Sequence, residues 1–185
     1  MKKAGKDISM DADELRALQA PLKERYKKSP GSAMIPARAE ALIEGEGDIA
    51  CRVPTFAGMA VAGLHPAAGG DGTTACSADM LLEALVACAG VTFKAVATAM
   101  RIPLRRARVI AEGTWNAGGT LAVDRSAPVG LVDIGLTFEI DSSADPKRLE
   151  KLVQLTERYC VIFQTLVNPP ALSSRFKQMK DVPGP

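Results

Sequence analysis

One stretch dominates the chain. Ser77 to Met100 reads SADMLLEALVACAGVTFKAVATAM, with no charged residue between Glu83 and Lys94 and a cysteine, Cys88, near its middle. The uncharged run is shorter than the roughly 20 apolar residues that a bilayer span needs. It suits a central helix buried on most sides, since a helix apolar all round belongs in a core. Ala84, Ala87, Ala89 and Gly90 are small enough for another backbone to approach closely. Ser77 or Asp79 is placed to cap its start, and Arg101 with Ile102-Pro103 marks its end, because proline disfavours helix in the residue before it. A cysteine inside such a helix is either a small hydrophobe or a nucleophile. Residue type alone favours the hydrophobe, since most free cysteines are buried and inert.

At 185 residues the chain can build one real core, or one half of an intimate dimer. Aromatics make up only 4%, so that core must be aliphatic. A net charge of +2 argues against nucleic acid as a partner. Basic residues cluster at Lys2, Lys3 and Lys6, at Lys23 to Lys28 and at Arg101 to Arg108. With Tyr26 the single aromatic among them, these read as solvated faces. The opening MKKAGKDISM lacks the apolar stretch of a secretory signal, so the expectation is a cytoplasmic protein with reduced thiols and no membrane anchor. Cys51, Cys76, Cys88 and Cys160 form no CxxC pair, and His65 is the single histidine. A structural zinc site is therefore not expected. Buried structural thiols, redox thiols or a mixture remain open.

Residues 1–10 read as a frayed tail, and Asp11 to Lys28 as an amphipathic helix interrupted by Pro21, with Asp11 or Asp13 as cap. Ala37 to Pro54 reads as strand material broken at Gly45 and Gly47, and Met59 to Leu64 as a further short strand. His65 to Ser77, HPAAGGDGTTACS, is a loop with neither GxxxxGK[ST] nor GxGxxG, so phosphate-loop and dinucleotide readings both fail. Within it His65 reads as a surface residue. Arg105 to Trp115 and Val129 to Ile140 are strands, the second alternating through Val132, Ile134, Leu136, Phe138 and Ile140. Asp145-Pro146 opens a last long helix with cap and first-turn proline in their preferred order. Its inward stripe of Leu149, Leu152, Val153, Thr156, Cys160 and Phe163 places a second cysteine where the central helix should pack. Asn168-Pro169-Pro170 ends it, and 171–185 is a tail that could add an edge strand.

Three segments together resemble the OsmC/Ohr family of thiol peroxidases: SADMLLEALVACAGVTFKAVA, which resembles that family's first cysteine helix; ERYCVIFQTL, which resembles its second cysteine motif; and the Gly-rich AAGGDGTTACS ahead of the first. The resemblance covers about residues 37–175. It implies an α+β, OsmC-like fold in which antiparallel sheets wrap long central helices of an intertwined homodimer. The division would be a tail and helix over 1–32 and an OsmC-like domain over 33–185. It also implies a function without metal or cofactor. Cys88 would attack an organic hydroperoxide as the peroxidatic thiol. Cys160 would resolve the sulfenic acid to a disulfide, and a dithiol reductant, a lipoyl protein or a thioredoxin-like one, would restore both.

A thiolate is the nucleophile, and burial alone would raise the Cys88 pKa, so a cation is expected to reach it. Family members use an arginine from an early strand held by a carboxylate near the start of the central helix. Arg52 matches the first, with Arg38 as the alternative, and Asp79 the second, with Glu83 as a further option. Peroxidase members carry glutamate where this chain has Ala78, a departure that bears on peroxidase efficiency more than on fold. Val161 stands where the family has proline after the second cysteine, and would let the helix run through Cys160. Cys51 and Cys76 match nothing in the motifs. The rival reading is a catalytically weak OsmC-fold dimer that binds a small apolar ligand or a protein partner.

Overall fold

The computed structural model describes residues 10–178. Helix α1, Ala12–Lys28, starts at Asp11 as the sequence suggests, in a reciprocal cap: Asp11 accepts from the Asp13 and Glu14 N–H groups, and Glu14 accepts from Asp11 N–H. Pro21 does not interrupt it. Its first turn is its anchor. Ala12 is buried, and Arg101 at the far end of the central helix donates to Asp13 at 2.8 Å.

Strand β1, Ala50–Thr55, is shorter than the expected Ala37 to Pro54. Before it only Leu42 pairs, in an isolated bridge to Arg52. Glu40, Glu44, Glu46 and Asp48 charge one side of that stretch, and Gly47 at φ +104° turns it. Strand β2, Gly58–Gly63, is antiparallel to β1, with Cys51 opposite Ala62. The two-residue β3, Ala75–Cys76, pairs with β2 in parallel, so this sheet is only partly antiparallel. The connecting loop folds back tightly, and a Cβ at Gly70 would enter the Leu64 carbonyl. His65 in that loop is half-buried, not a plain surface residue. Its Nδ1 accepts from Ala67 N–H at 3.0 Å, and its ring meets Trp115 edge-on at 5.3 Å.

The central helix α2 spans Ser77–Ala99. Neither Ser77 nor Asp79 caps it. The cap residue is Cys76, still held in β3, and it makes no side-chain cap bond. At the other end Arg101 takes a left-handed conformation, and the N–H groups of Arg101 and Ile102 return to the Thr98 and Ala97 carbonyls. Strands β4, Leu104–Thr114, and β5, Val132–Ser142, form a second, antiparallel sheet, with Val109 opposite Phe138. Between them a short α3, Ala117–Thr120, is capped by Asn116. Helix α4, Pro146–Tyr159, starts at Asp145 as expected, and Asp145 accepts from Lys147 N–H at 2.9 Å.

The core forms where these elements meet. Phe93 and Ala97 of α2, Ile102 and Leu152 of α4 are its buried centre, flanked by Leu104, Phe138, Ile140, Leu149 and Val153. Phe93 and Phe138 stack at 5.3 Å. The helix is not buried on most sides. One stripe, Leu85, Ala89, Phe93 and Ala97, is buried, and the opposite one, with Leu81, Ala84, Ala87 and Val91, is exposed in the protomer, Val91 to 73%. Counted with its flanks, α2 is long and apolar enough to cross a membrane, with 23 residues and a mean hydropathy of 1.8 over an 18-residue window. That corrects the shorter count from the uncharged run alone. In this fold it instead packs on β4, α4 and α5.

Candidate active site

The two cysteines that the sequence places on inward helix faces come together. Cys88 lies midway along α2, between the buried and the open stripes, and is half-buried. Cys160 is fully buried at 0% exposure. The two thiols are near enough for each to shift the other's titration.

Cys160 does not sit inside a helix. The chain is extended there (φ −74°, ψ 112°), and α5, Val161–Val167, begins at the next residue. The expectation that Val161 carries the helix through is thus not met. Instead of an uninterrupted ladder, the Cys160 sulfur accepts from Phe163 N–H at 3.5 Å, and Gln164 spans the break by donating its side-chain amide to the Glu157 carbonyl at 2.9 Å. The N–H groups that open a helix have no partner within it. Here those of Val161 and Ile162 act to lower the Cys88 pKa.

This break sets the electrostatics of the pair. Burial works to raise the Cys88 pKa, but it is outweighed by hydrogen bonds from Ile162 N–H, the Cys160 thiol, Val161 N–H and the Thr92 hydroxyl, which hold Cys88 below the ordinary thiol value of 9.0. Cys160 moves the other way. Burial pushes it above 9.0, Phe163 N–H works against that, and the neighbouring Cys88 adds to the rise. Of the two, Cys88 is the first to give up its proton and Cys160 the one that keeps it, an asymmetric pair of one candidate nucleophile and one reserve thiol.

The cation expected at Cys88 is not among the groups acting most on its sulfur within this protomer; backbone and side-chain donors take that place. Arg52 pairs with Glu44 at 2.8 Å on the exposed face of β1, and Arg38 with Glu40 at 2.7 Å. Arg52 and Cys51 line a separate hollow of about 530 Å³ with Glu44, Asp48 and Asp71. Asp79 and Glu83 are exposed on α2, and Cys76 stands at its start. Among the described residues no group of three or more His, Cys, Asp and Glu side chains is placed to hold a metal ion. Sequence reasoning missed Thr92 and the Val161 and Ile162 N–H groups. A hydroxyl one helical turn past Cys88 was a readable signal for the first; the second depends on a helix break that a continuous apolar stripe conceals.

A helix-borne cysteine, a second cysteine at a helix break and two small sheets around them define a class. The family model described as OsmC-like protein matches residues 70–175, and the chain belongs to that family. Comparison with curated protein sequences finds no match. Among solved structures it is similar to an OsmC like protein from Mycoplasma pneumoniae, at 17% identity and a TM-score of 0.60 over 73% of this chain and 89% of that one. It is also similar to a protein from Legionella pneumophila described as an organic hydroperoxide resistance protein OsmC, predicted redox protein. There the identity is 18% and the TM-score 0.53, over 72% of this chain and 90% of that one. At such identities the likeness is one of fold. The observed α+β arrangement is the OsmC-like one that the sequence resemblance implies.

Proposed function

We propose that this protein is a cysteine-dependent peroxidase that reduces organic hydroperoxides, with Cys88 as the peroxidatic and Cys160 as the resolving thiol. The observation that carries the proposal is the asymmetric pair: a Cys88 thiol held below its ordinary pKa beside a buried Cys160 held above it. The Cys88 thiolate attacks the terminal peroxide oxygen. The O–O bond breaks, the sulfur becomes a sulfenic acid, and the departing alkoxide takes a proton to leave as alcohol. Cys160 then displaces hydroxide from that sulfur, forming the disulfide and releasing water. A small motion suffices, since the sulfurs are already neighbours and a disulfide needs about 2.05 Å. A dithiol, lipoyl-borne or thioredoxin-like, restores both thiols by exchange.

The active form in this proposal is a cytoplasmic homodimer. The open stripe of α2 supports it, because a large uncovered apolar face marks an interaction surface. Arg52 and Asp79 enter as residues that complete the site in the dimer, and residues 1–32 as an appendage outside the OsmC-like domain. One equivalent of cumene hydroperoxide added to fully reduced protein tests the chemistry. A Cys88–Cys160 disulfide should form promptly, as read by peptide mass spectrometry, and be abolished by Cys88→Ser. Thiols that stay reduced for many minutes, or oxidation scattered over Cys51 and Cys76, would leave the rival reading of a ligand-binding dimer.

A further inference from the structure

We infer that Gln164 is a positioning residue for Cys160: its side-chain amide occupies the Glu157 carbonyl that Val161 N–H would claim in an unbroken helix, and so keeps the α4–α5 break open. The inference rests on the reading of Cys88 and Cys160 as a redox pair. Cys160 belongs to both helices at once. Its N–H donates to the Thr156 carbonyl at 2.8 Å, at the end of α4, and its carbonyl accepts from Gln164 N–H at 2.9 Å, at the start of α5. The bend between them is the ψ of this one residue, 112° where a helix has about −42°. A helix carried through would bond Val161 N–H to the Glu157 carbonyl, four residues back. Here Gln164 donates its side-chain amide to that carbonyl at 2.9 Å. The amide is held from its other end as well, because Asn168 donates its side-chain amide to the Gln164 oxygen at 3.3 Å. A flipped amide would set donor against donor and acceptor against acceptor, so the two bonds fix one orientation. The same bend lets the Cys160 sulfur accept from Phe163 N–H at 3.5 Å. In a continuous helix that N–H would go to the Tyr159 carbonyl, and the sulfur would lose its place. Glu157 and Gln164 are both half-buried, where an unmet carbonyl or amide is costly.

Such a clamp is read in the equilibrium between dithiol and disulfide. In a glutathione buffer Cys88 and Cys160 pass two electrons and two protons to glutathione disulfide, form one S–S bond and release two glutathione thiols. The ratio at half-oxidation reports how well the fold presents one sulfur to the other. The test follows the Cys88–Cys160 disulfide of the full chain by peptide mass spectrometry across glutathione ratios at pH 7, in wild type, Gln164→Met, Val161→Pro and the double variant. Gln164→Met keeps the length of the side chain and removes the donor. It should shift the equilibrium about threefold to tenfold toward the dithiol, or about 14–30 mV for this two-electron couple. Proline at 161 has no N–H to give to Glu157, and its ring bars the closed helix. In that background Gln164→Met should therefore shift the equilibrium by less than about twofold, since its effect runs through the N–H already removed. An unmoved equilibrium in Gln164→Met, or the same shift in both backgrounds, would overturn the inference. Should Gln164→Met lose its helical circular dichroism, Gln164→Glu, ionised at pH 7 and without a donor, takes its place. Glutathione buffers contain no peroxide, so the two readings fail separately. The expected cycle without a peroxide-induced disulfide keeps Gln164 and sinks the peroxidase. Prompt disulfide formation by peroxide with equal shifts in both backgrounds does the reverse. A wild type that forms no Cys88–Cys160 disulfide at any glutathione ratio overturns both.

Discussion

At the scale of single residues, the pair works because its members are unlike. Donors collect on Cys88, while burial and the neighbouring charge keep the proton on Cys160. The sign of the pH dependence follows. Cys88 lies below 9.0, so its reactivity rises with pH through a midpoint under that value and then levels off; Cys160 lies above 9.0 and gains reactivity only in alkali. At pH 7.5 limiting iodoacetamide should therefore label Cys88 well before Cys160, which is also fully buried, and peptide mapping checks the order. Labelling of Cys160 first would contradict the assignment of roles. The coupling gives a second expectation. Cys88→Ser removes the charge that lifts Cys160, so Cys160 should titrate at lower pH in that variant than in wild type. A pH series of its alkylation reads this directly, and an unmoved midpoint would mean that burial alone sets it.

At the scale of elements, the break between α4 and α5 is the feature that the proposed chemistry depends on. The family's proline position is Val161, the first residue of α5, where proline is well tolerated in a helix. The preceding Cys160 is already extended, as a residue before proline prefers to be. Val161→Pro should therefore fold normally and be unchanged or more stable by up to about 1 kcal/mol in denaturant melts. It also deletes the Val161 N–H that works to lower the Cys88 pKa, so Cys88 alkylation at pH 7 should fall about threefold even though the helix is intact. A large loss of stability would show that the break is not the local feature described here. The sequence made α4 legible through Asp145-Pro146 and its apolar stripe, and β5 through strict alternation. Cys160 read as part of the same stripe because side-chain periodicity continues across the break, whereas the break itself is a backbone event held by Gln164 and the Cys160 sulfur. The donors at Cys88 were hidden for the same reason: backbone N–H groups carry no letter in the sequence, so the search went to arginines.

At the scale of the whole molecule, the apolarity of α2 exceeds what one protomer uses. The sequence announced a helix buried nearly all round, yet the protomer covers only the stripe from Leu85 to Ala97. Leu81, Ala84, Ala87 and Val91 recur at three and four residues along the uncovered side, and the small members would let a second helix come close. A second copy of the chain is the economical occupant, because a two-fold interface needs only one self-complementary patch. Val91, the last member of this stripe and 73% exposed, tests it without touching the protomer's core. Val91→Arg would bring two unpaired charges into a desolvated contact, at a cost of several kcal/mol, and so weaken self-association by at least about a hundredfold. Sedimentation equilibrium should show a dimer for wild type and a monomer for the variant, with the melting temperature of wild type alone rising with concentration. The thiol pair lies between α2 and α5 of one protomer, so Cys88 alkylation should survive in the monomer. If peroxide turnover is lost while alkylation persists, the dimer supplies something the reaction needs beyond the thiols, and Arg52 is the first residue to substitute. A wild-type chain that remains monomeric at tens of micromolar would remove the dimer from the proposal and leave the open face of α2 to a different partner.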